Sequence, residues 1–236
     1  MTGMQEQVSA RRLTAMEIFA GLPQPALRRI AASGRVRRLA AQTRVFSQGN
    51  APARAHVVID GAVRILQTGR DGEQALMRFI APGEMFGAVA LFTDGRYPAD
   101  AVTMVETLEV SWSEPELLAL TRCYPDLAIN ALRIVGRRLQ EVQNRVRELA
   151  TQSAERRIAH ALVRLARQGG HDTPNGTRIA FPLRRKDVAD ISGTTLYTAS
   201  RILTSWEKTG LLQNEHRHLT LLEPGRLLCI AEDAAV

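Results

Sequence analysis

The sequence predicts an α+β protein in which a β-roll, a long helix and a winged helix-turn-helix follow one another. Glycines separate short apolar runs from about Val45 to Val110. After Pro125, apolar residues recur at alternating spacings of three and four. A helix-glycine-helix pattern then occupies Arg184 to Leu212. These features predict three parts: a β-roll domain with flanking short helices over 1–124, a dimerisation helix over 125–150 and a winged helix-turn-helix domain over 151–236.

The β-roll is indicated by apolar runs with the length of strands. HVVID, AVRILQT, QALMRFI and LEVSW are each bounded by turn residues, which is typical of an all-β domain. Short helices are expected to precede the roll and to pack on it through Met16, Ile18, Phe19, Leu22, Leu27, Ile30 and Ala31.

The long helix has a strict apolar stripe. Charged residues flank it on both sides, and its members are Leu132, Val135, Leu139, Val142, Val146 and Leu149. One interpretation is a helix packed on its own β-roll. The other is a homodimer, which a period of about 3.5 residues favours, because that period keeps one stripe facing a partner helix.

The helix-glycine-helix pattern has the spacing of a DNA-reading motif. Val188, Ala189 and Ile191 give the first helix an apolar face, and Gly193 can adopt positive φ. Thr194 or Thr195 can cap the second helix. The inner face of that helix is expected to contain Leu196, Ala199, Ile202, Leu203 and Trp206.

The outward side chains of this motif are the candidate DNA contacts. Arginine can bind guanine O6 and N7 together, so Arg201 is the candidate base-reading residue. Hydroxyls and helix N-termini suit phosphate, which points to Thr194, Thr195 and Ser200. The remaining candidates are Arg184, Arg185, Lys186, Tyr197 and Thr198.

A wing is expected after Gly210. Two strand-like runs flank a polar turn from Asn214 to His218, and Arg217 lies at its tip, within reach of a phosphate. A helix-glycine-helix pattern alone also occurs in proteins that do not bind DNA, so the wing strengthens the prediction. Upstream, Ser153 is expected to begin a helix with an inner face of Ile158, Leu162 and Leu165, and Gly169 to Gly176 to form a loop.

Composition limits the possible functions. A net charge of +7 favours a polyanionic partner such as double-stranded DNA. No apolar run approaches the roughly 20 residues of a membrane span, and the first twelve residues lack a signal-peptide block, so we expect a cytoplasmic protein without a membrane partner. Cys123 and Cys229 lie far apart, which indicates buried, inert thiols and neither an iron–sulfur cluster nor another metal site.

The order of parts resembles the CRP/FNR family of bacterial transcription regulators. Two segments resemble the family's cyclic-nucleotide-binding-like β-roll: VFSQGNAPARAHVVIDGAVRI from Val45 to Ile65, and PGEMFGAVALFTDGRYPADA from Pro82 to Ala101. SRIL, Ser200–Leu203, resembles the family's recognition helix. The resemblance implies a homodimeric regulator on a palindromic operator, with RNA polymerase as a partner if it activates transcription.

Two departures concern the signal. Cyclic-AMP-binding members carry a glutamate and an Arg-Ser pair in the phosphate cassette, and here Ala88, Pro98 and Ala99 occupy those positions. We therefore do not expect cyclic AMP to bind. Arg96 is close enough in sequence to substitute, so a cyclic-nucleotide regulator with a divergent pocket is an alternative. The cysteine cluster of FNR-type members is excluded, because no cysteine precedes Cys123.

The helix-turn-helix also departs from the family pattern at two positions. Tyr197 replaces the family's glutamate in the recognition helix. Ser192 occupies a normally apolar position, and it is expected to loosen the turn. GTTLYTASRILTSWEKTGLL, GRYPADA and the Trp112 strand are most similar to the nitric-oxide-responsive Nnr and Dnr regulators. That resemblance implies half-sites TTG and CAA, genes of nitrogen-oxide reduction and nitric-oxide sensing through heme. His56 and Tyr97 are the candidate heme ligands, although a structural role is favoured for His56.

The sequence is compatible with two further functions. Glycine-punctuated rolls also occur in cupin-type metalloenzymes, but those need clustered His and carboxylate ligands, and His56 is the one histidine in the roll. Alternatively, the roll binds nothing and serves as a scaffold for a DNA-binding dimer.

Overall fold

A computed structural model describes residues 8–233 of the chain. The chain divides into two compact units, Met1–Gln140 and Glu141–Val236, called here the roll unit and the winged-helix unit. Residues 1–7 and 234–236, the ends of the first and last expected domains, lie outside the described residues. Residues 1–7 are also most of the twelve-residue segment in which we expect no signal peptide.

The roll unit begins with the short helices that the sequence predicts. They are α1 (Ala10–Thr14), a 3₁₀ turn (Glu17–Phe19) and α2 (Gln24–Ser33). The strands that follow are β1 (Arg35–Leu39), β2 (Arg44–Phe46), β3 (Arg54–Asp60), β4 (Val63–Thr68), β5 (Gln74–Ile80), β6 (Met85–Phe86), β7 (Asp100–Thr103) and β8 (Thr107–Ser113). A 3₁₀ turn (Ala88–Phe92) separates β6 from β7, and α3 (Glu114–Cys123) follows β8.

The strands form two antiparallel sheets, in the orders β1-β8-β3-β6 and β2-β7-β4-β5. One core cluster lies between the sheets, since it combines Val58 and Phe86 of the first sheet with Val63 and Ile80 of the second. The expected strand runs are therefore confirmed. β1 was not predicted, because three arginines mask its pattern, and it is an edge strand paired with β8.

A second core cluster joins the early helices to the first sheet. Phe19 and Trp112 meet edge to face with their ring centroids 5.8 Å apart. The Trp112 Nε1 donates to the Ile30 carbonyl at 3.1 Å, so the one polar atom of the buried indole is satisfied. The prediction that short helices pack on the roll is confirmed.

The long helix α4 runs from Asp126 to Thr151. The next helix, α5 (Ala154–Gly169), begins at Ser153 as expected, and the Ser153 hydroxyl accepts from the Arg156 amide. The predicted inner face of α5 is confirmed, because Ile158, Leu162 and Leu165 are buried.

The winged-helix unit combines a helix pair with a small antiparallel sheet of order β11-β12-β10-β9. Its remaining elements are β9 (Gly170–Thr173), β10 (Gly176–Ile179), α6 (Arg185–Ser192), α7 (Leu196–Lys208), β11 (Leu212–Glu215), β12 (His218–Leu221) and α8 (Pro224–Glu232). The predicted loop from Gly169 to Gly176 is wrong, because β9 and β10 form a hairpin there. The pairing of Thr177 with Leu221 fixes β10 through a partner distant in sequence.

Two smaller observations complete the fold. Cys229 is half-buried, but Cys123 is exposed at the end of α3, so the expectation of a buried thiol is wrong for Cys123. None of the helices in the described range is both long and apolar enough to cross a membrane.

Candidate nucleic-acid interface and effector pocket

The turn between α6 and α7 is fixed by residues from two other helices. Gly193 has φ +63°, and a Cβ there would lie 2.3 Å from the Leu149 Cδ2. On the other side, the Arg157 guanidinium donates to the carbonyls of Ser192 at 2.9 Å and Gly193 at 3.0 Å. Ser192, expected to loosen this turn, is buried, and its hydroxyl donates to the Val188 carbonyl at 2.7 Å. The turn is therefore held without an unsatisfied hydroxyl.

The recognition helix α7 starts at a threonine cap. Of the two candidates, Thr195 provides it, because its hydroxyl accepts from the Thr198 amide at 3.1 Å. The predicted inner residues Ala199, Ile202, Leu203 and Trp206 are buried. The prediction is wrong for Leu196, which is 52% exposed. Helical spacing gives the direction of a side chain around the axis, but not how far along the axis neighbouring elements reach.

The exposed face of α7 carries a free guanidinium. Tyr197 is 79% exposed, Arg201, Ser205 and Lys208 are also exposed, and Thr198 and Ser200 are half-buried. Arg201 makes no hydrogen bond or ion pair within the described part of the chain. Its planar fork can therefore bind the O6 and N7 acceptors of a guanine.

The three basic residues that start α6 differ in their surroundings. The Arg184 guanidinium donates to the Asp187 carboxylate at 2.8 and 3.0 Å, and this contact raises the pKa of Arg184. Lys186 is exposed and pairs with Asp190 at 3.3 Å. Thr194, the other predicted phosphate contact, is half-buried next to the turn.

Arg185 lies against the recognition helix. Its guanidinium donates to the Ser200 carbonyl at 2.6 Å, to the Thr204 hydroxyl at 2.8 Å and to the Glu207 carboxylate at 3.0 and 3.1 Å. Four bonds from one half-buried side chain fix α7 relative to α6. In this structure Arg185 positions the recognition helix, and Lys186 presents the more exposed cation.

The wing and α5 complete the surroundings of α7. The Trp206 Nε1 donates to the Glu155 carboxylate at 3.2 Å, which ties α7 to α5. Arg217 is exposed at the tip of the β11–β12 hairpin, as predicted. The turn itself is shorter than expected, with His216 at φ +51° and Arg217 at φ +71°.

The predicted apolar stripe on α4 is exposed to solvent in the single chain. Its six residues, Leu132 to Leu149, are between 45% and 68% exposed, and Ile129 extends the stripe at 47%. The side chains by which α4 joins the core of the roll unit are different ones: Leu127, Ala131 and Ile134. For Leu132, Val135 and Leu139, which belong to the roll unit, the interpretation that the stripe packs on the chain's own roll is therefore wrong.

The last turns of α4, which belong to the winged-helix unit, are held by side chains of that unit. The Arg164 guanidinium donates to both oxygens of the buried Glu148 carboxylate, at 2.7 and 2.8 Å. Arg145 donates to the Asp190 carbonyl at 3.4 Å. Together with Leu149 at Gly193, these contacts link the last turns of α4 to α5, to α6 and to the turn of the DNA-reading motif.

The interior of the roll contains a buried polar network centred on His56. This histidine is 2% exposed. Its Nδ1 lies 2.7 Å from the Glu109 carboxylate, and its Nε2 lies 3.0 Å from the Tyr97 hydroxyl. Arg37 pairs with the same carboxylate at 2.5 Å, and the Arg54 amide donates to the Tyr97 hydroxyl at 2.7 Å. Both ring nitrogens of His56 are thus engaged.

The network keeps Glu109 ionised inside the protein. Burial alone raises the pKa of this carboxyl, but the hydrogen bond and charge of His56, together with Arg37, outweigh burial and lower the pKa. Burial raises the pKa of Tyr97. Aromatic rings surround the network, since Phe46 stacks on Tyr97 with centroids 3.6 Å apart and Phe86 stacks on His56 at 5.0 Å.

Comparison with known proteins places both units. Residues 36–122 match the cyclic nucleotide-binding domain, and residues 156–230 match the Crp-like helix-turn-helix domain. The cyclic AMP receptor protein of Thermus thermophilus is 31% identical over 169 residues, which cover 72% of this chain and 75% of that protein. The chain belongs to the CRP/FNR family of transcription regulators.

Other CRP/FNR proteins agree with this placement. The nitrogen fixation regulation protein FixK of Rhizobium meliloti is 30% identical over 185 residues, 78% of this chain and 81% of that protein. The crystal structure of the Thermus thermophilus catabolite activator protein is 27% identical with a TM-score of 0.53, covering 93% of this chain and all of that one. CRP/FNR regulators bind DNA as dimers and are not enzymes, so the chain is a DNA-binding regulator.

The cassette positions that distinguish cyclic-AMP-binding CRP/FNR members carry no charge here. Ala88 begins the 3₁₀ turn after Gly87, Pro98 is exposed and Ala99 is buried. Arg96, the candidate substitute, is exposed, and its guanidinium donates to the Gly49 carbonyl at 3.0 Å. The described residues also contain no group of three or more His, Cys, Asp or Glu side chains placed to hold a metal ion.

Sequence reasoning did not find Arg157, and it assigned Leu196 to the wrong face of α7. Arg157 lies 36 positions before Gly193, and no local pattern connects them. Leu196 carried a usable signal, because an apolar residue directly after a helix cap lies in the first turn, where neighbouring helices often do not reach.

Proposed function

We propose that this regulator is a homodimer that binds a palindromic operator, with one α7 helix in the major groove of each half-site. One observation carries the proposal: Arg201 is exposed and has no partner among the described residues. The helix that bears it is held in place by Arg185 and Trp206. A rigidly held helix with one free guanidinium is suited to recognise a base edge.

The apolar stripe on α4 supports the homodimer. Leu132, Leu139 and Val146 occupy one repeat position, and Val135, Val142 and Leu149 the other. Pairing with a second copy removes these side chains from water, and a two-fold axis along the stripe gives the same contacts to both chains. Two-fold symmetry in the protein in turn requires a symmetric operator. A contact with RNA polymerase belongs to the proposal only if the protein activates transcription.

We further propose that the roll responds to a signal other than cyclic AMP. A cyclic phosphate at Ala88, Pro98 and Ala99 lacks charged partners, and each lost charge-assisted bond costs about 1.5 to 3 kcal/mol. The divergent-pocket alternative requires Arg96 to leave the Gly49 carbonyl. Calorimetric titration with cyclic AMP is expected to show no binding at micromolar concentration. Saturable binding that Arg96→Ala removes would establish the alternative.

Nitric-oxide sensing through heme, with control of nitrogen-oxide genes, remains a prediction from the resemblance to Nnr and Dnr regulators. His56 and Tyr97, as they are placed, do not fit an iron centre, because their polar atoms bond to each other, to Glu109 and to Arg54. A heme titration followed by absorption tests whether the roll binds heme. If the roll is a scaffold without a ligand, the affinity for the operator is the same with and without heme or nitric oxide.

Selection from random duplex DNA tests the proposed DNA recognition. We expect the full-length protein to enrich a two-fold symmetric sequence with a guanine in each half-site. Arg201→Ala should lose discrimination at that base pair, whereas Ser205→Ala, on the same exposed face, should retain it. The proposal would be contradicted if the wild-type protein enriched no sequence. It would also be contradicted if Arg201→Ala enriched the same symmetric sequence with the same preference for guanine.

A further inference from the structure

The first turn of the recognition helix exposes two apolar side chains beside the free guanidinium. Leu196 is 52% exposed and Tyr197 is 79% exposed. Arg201 follows Tyr197 by four residues, so the two lie on the same side of the helix. The N-terminal part of a recognition helix is the part that contacts base edges in the major groove. Both apolar side chains are therefore placed where bases are recognised.

In the described structure, each carboxylate of α6 and α7 is paired with a basic side chain. Glu207, the one acid in the α7 sequence, is half-buried and bonds to Arg185 at 3.0 and 3.1 Å. In α6, Asp187 is buried against Arg184, and Asp190 pairs with Lys186. A cytosine offers its N4 donor to the major groove and is usually recognised by a carboxylate, whereas a thymine offers a 5-methyl group. Apolar side chains without a nearby acid match thymine.

We infer that Leu196 and Tyr197 recognise thymine 5-methyl groups next to the guanine that Arg201 binds. The inference rests on the proposed function and adds a second determinant of its sequence preference. Four residues of helix span about 6 Å, and base pairs are stacked about 3.4 Å apart, so the thymines lie within about two base pairs of the guanine. Burial of the methyl group against Leu196 and the Tyr197 ring favours thymine over bases that lack this group.

Replacing thymine by uracil tests this directly, since it removes only the methyl group. The probe is a duplex enriched from random DNA by the full-length protein, with deoxyuridine placed at one thymine at a time. Within two base pairs of the guanine, uracil should weaken wild-type binding about threefold to fivefold, the effect of one buried methyl group. The Leu196→Ala, Tyr197→Ala double variant should show no such difference. Uracil outside both half-sites serves as the control.

Two single variants separate methyl recognition from a phosphate contact through the tyrosine hydroxyl. Tyr197→Phe should retain wild-type affinity and uracil sensitivity, whereas Tyr197→Glu should shift the preference toward cytosine at the same position. If Tyr197→Phe binds as weakly as Tyr197→Ala and uracil has no effect, the hydroxyl contacts phosphate and the inference is overturned. Both residues are exposed, and circular dichroism verifies that the variants fold. A protein that enriches no DNA would remove the proposed function itself.

Discussion

The guanidinium of Arg157 donates to the carbonyl of Gly193, 3.0 Å away, and so connects α5 to the turn of the DNA-reading motif. The last carbonyls of a helix have no partners within the helix, and Arg157 supplies one at the end of α6. Leu149 of α4 fills the space beside the same glycine. The position of α7 therefore depends on side chains from two helices outside the motif.

Arg157→Lys should destabilise the winged-helix unit. Lysine lacks the planar fork that reaches the carbonyls of Gln152, Ser192 and Gly193, so these acceptors lose a partner. We expect the free energy of unfolding to fall by about 1 to 2 kcal/mol. Hydrogen exchange followed by mass spectrometry should show faster exchange around the turn. Arg167→Lys, an exposed change on the same helix, is the matched control, and equal exchange in both variants would contradict the role of Arg157.

Arg217→Ala at the wing tip should weaken DNA binding without changing sequence preference. Its exposed side chain is placed to contact a phosphate, so the loss should be the same on selected and scrambled duplexes. The slope of log affinity against log salt should become shallower by about one unit. Fluorescence anisotropy at several salt concentrations measures both quantities. Arg226→Ala, exposed on α8, is the control, and an unchanged slope in Arg217→Ala would rule out the phosphate contact.

Leu139→Asp should convert the dimer to monomers. Leu139 is 58% exposed in the single chain and central in the stripe, so an aspartate there places two carboxylates against each other in the pair. The neighbouring Gln140→Asp changes charge equally but lies off the stripe. Sedimentation equilibrium should give a monomer for the first variant and a dimer for the second. Dimers in both would show that another surface joins the chains.

Glu109→Gln should reduce the dependence of roll-unit stability on acid pH. The folded-state pKa of Glu109 is lowered below 4.5, so the unfolded chain binds the proton more readily. The stabilisation by this carboxylate is complete above the unfolded pKa and disappears as the pH falls through the lower folded pKa.

Urea unfolding followed by Trp112 fluorescence, in a Trp206→Phe background, measures this effect. Between about pH 6 and about pH 3, the wild-type roll unit should lose more stability than Glu109→Gln. Glu106→Gln, a change at an exposed carboxyl, should keep the wild-type slope. An identical slope in Glu109→Gln would mean that Glu109 is not the titrating group.

Much of this fold could be predicted from patterns of residues that are close together in the sequence. Glycine-bounded strands, the stripe of α4 and the Ser153 cap depend on local spacing, and each is present. The β9–β10 hairpin was missed because its strands have no apolar alternation and are fixed by β12. The role of Arg185 was missed for a similar reason, since its partner Glu207 is distant in sequence.

The sequence predicted which residues of the interface are exposed better than it predicted which residues they contact. Arg201 and Arg217 are exposed where the sequence placed them, but Leu196 is not in the core. The roll interior was less accessible to sequence reasoning. Single residues such as His56 and Tyr97 could be named. The network centred on His56 could not, because it needs Glu109 from the neighbouring strand β8 and Tyr97 from the segment between the 3₁₀ turn and β7.

The spacing of half-sites tests most directly whether two chains bind one operator together. The affinity of the wild-type dimer should be measured on the selected duplex and on a version with about five base pairs inserted between the half-sites, which turns one half-site to the opposite side of the DNA. We expect two chains per duplex, and binding to the inserted duplex should fall to the level of scrambled DNA. Equal affinity for both duplexes would show that each chain binds independently and would contradict a symmetric dimer on a palindromic operator.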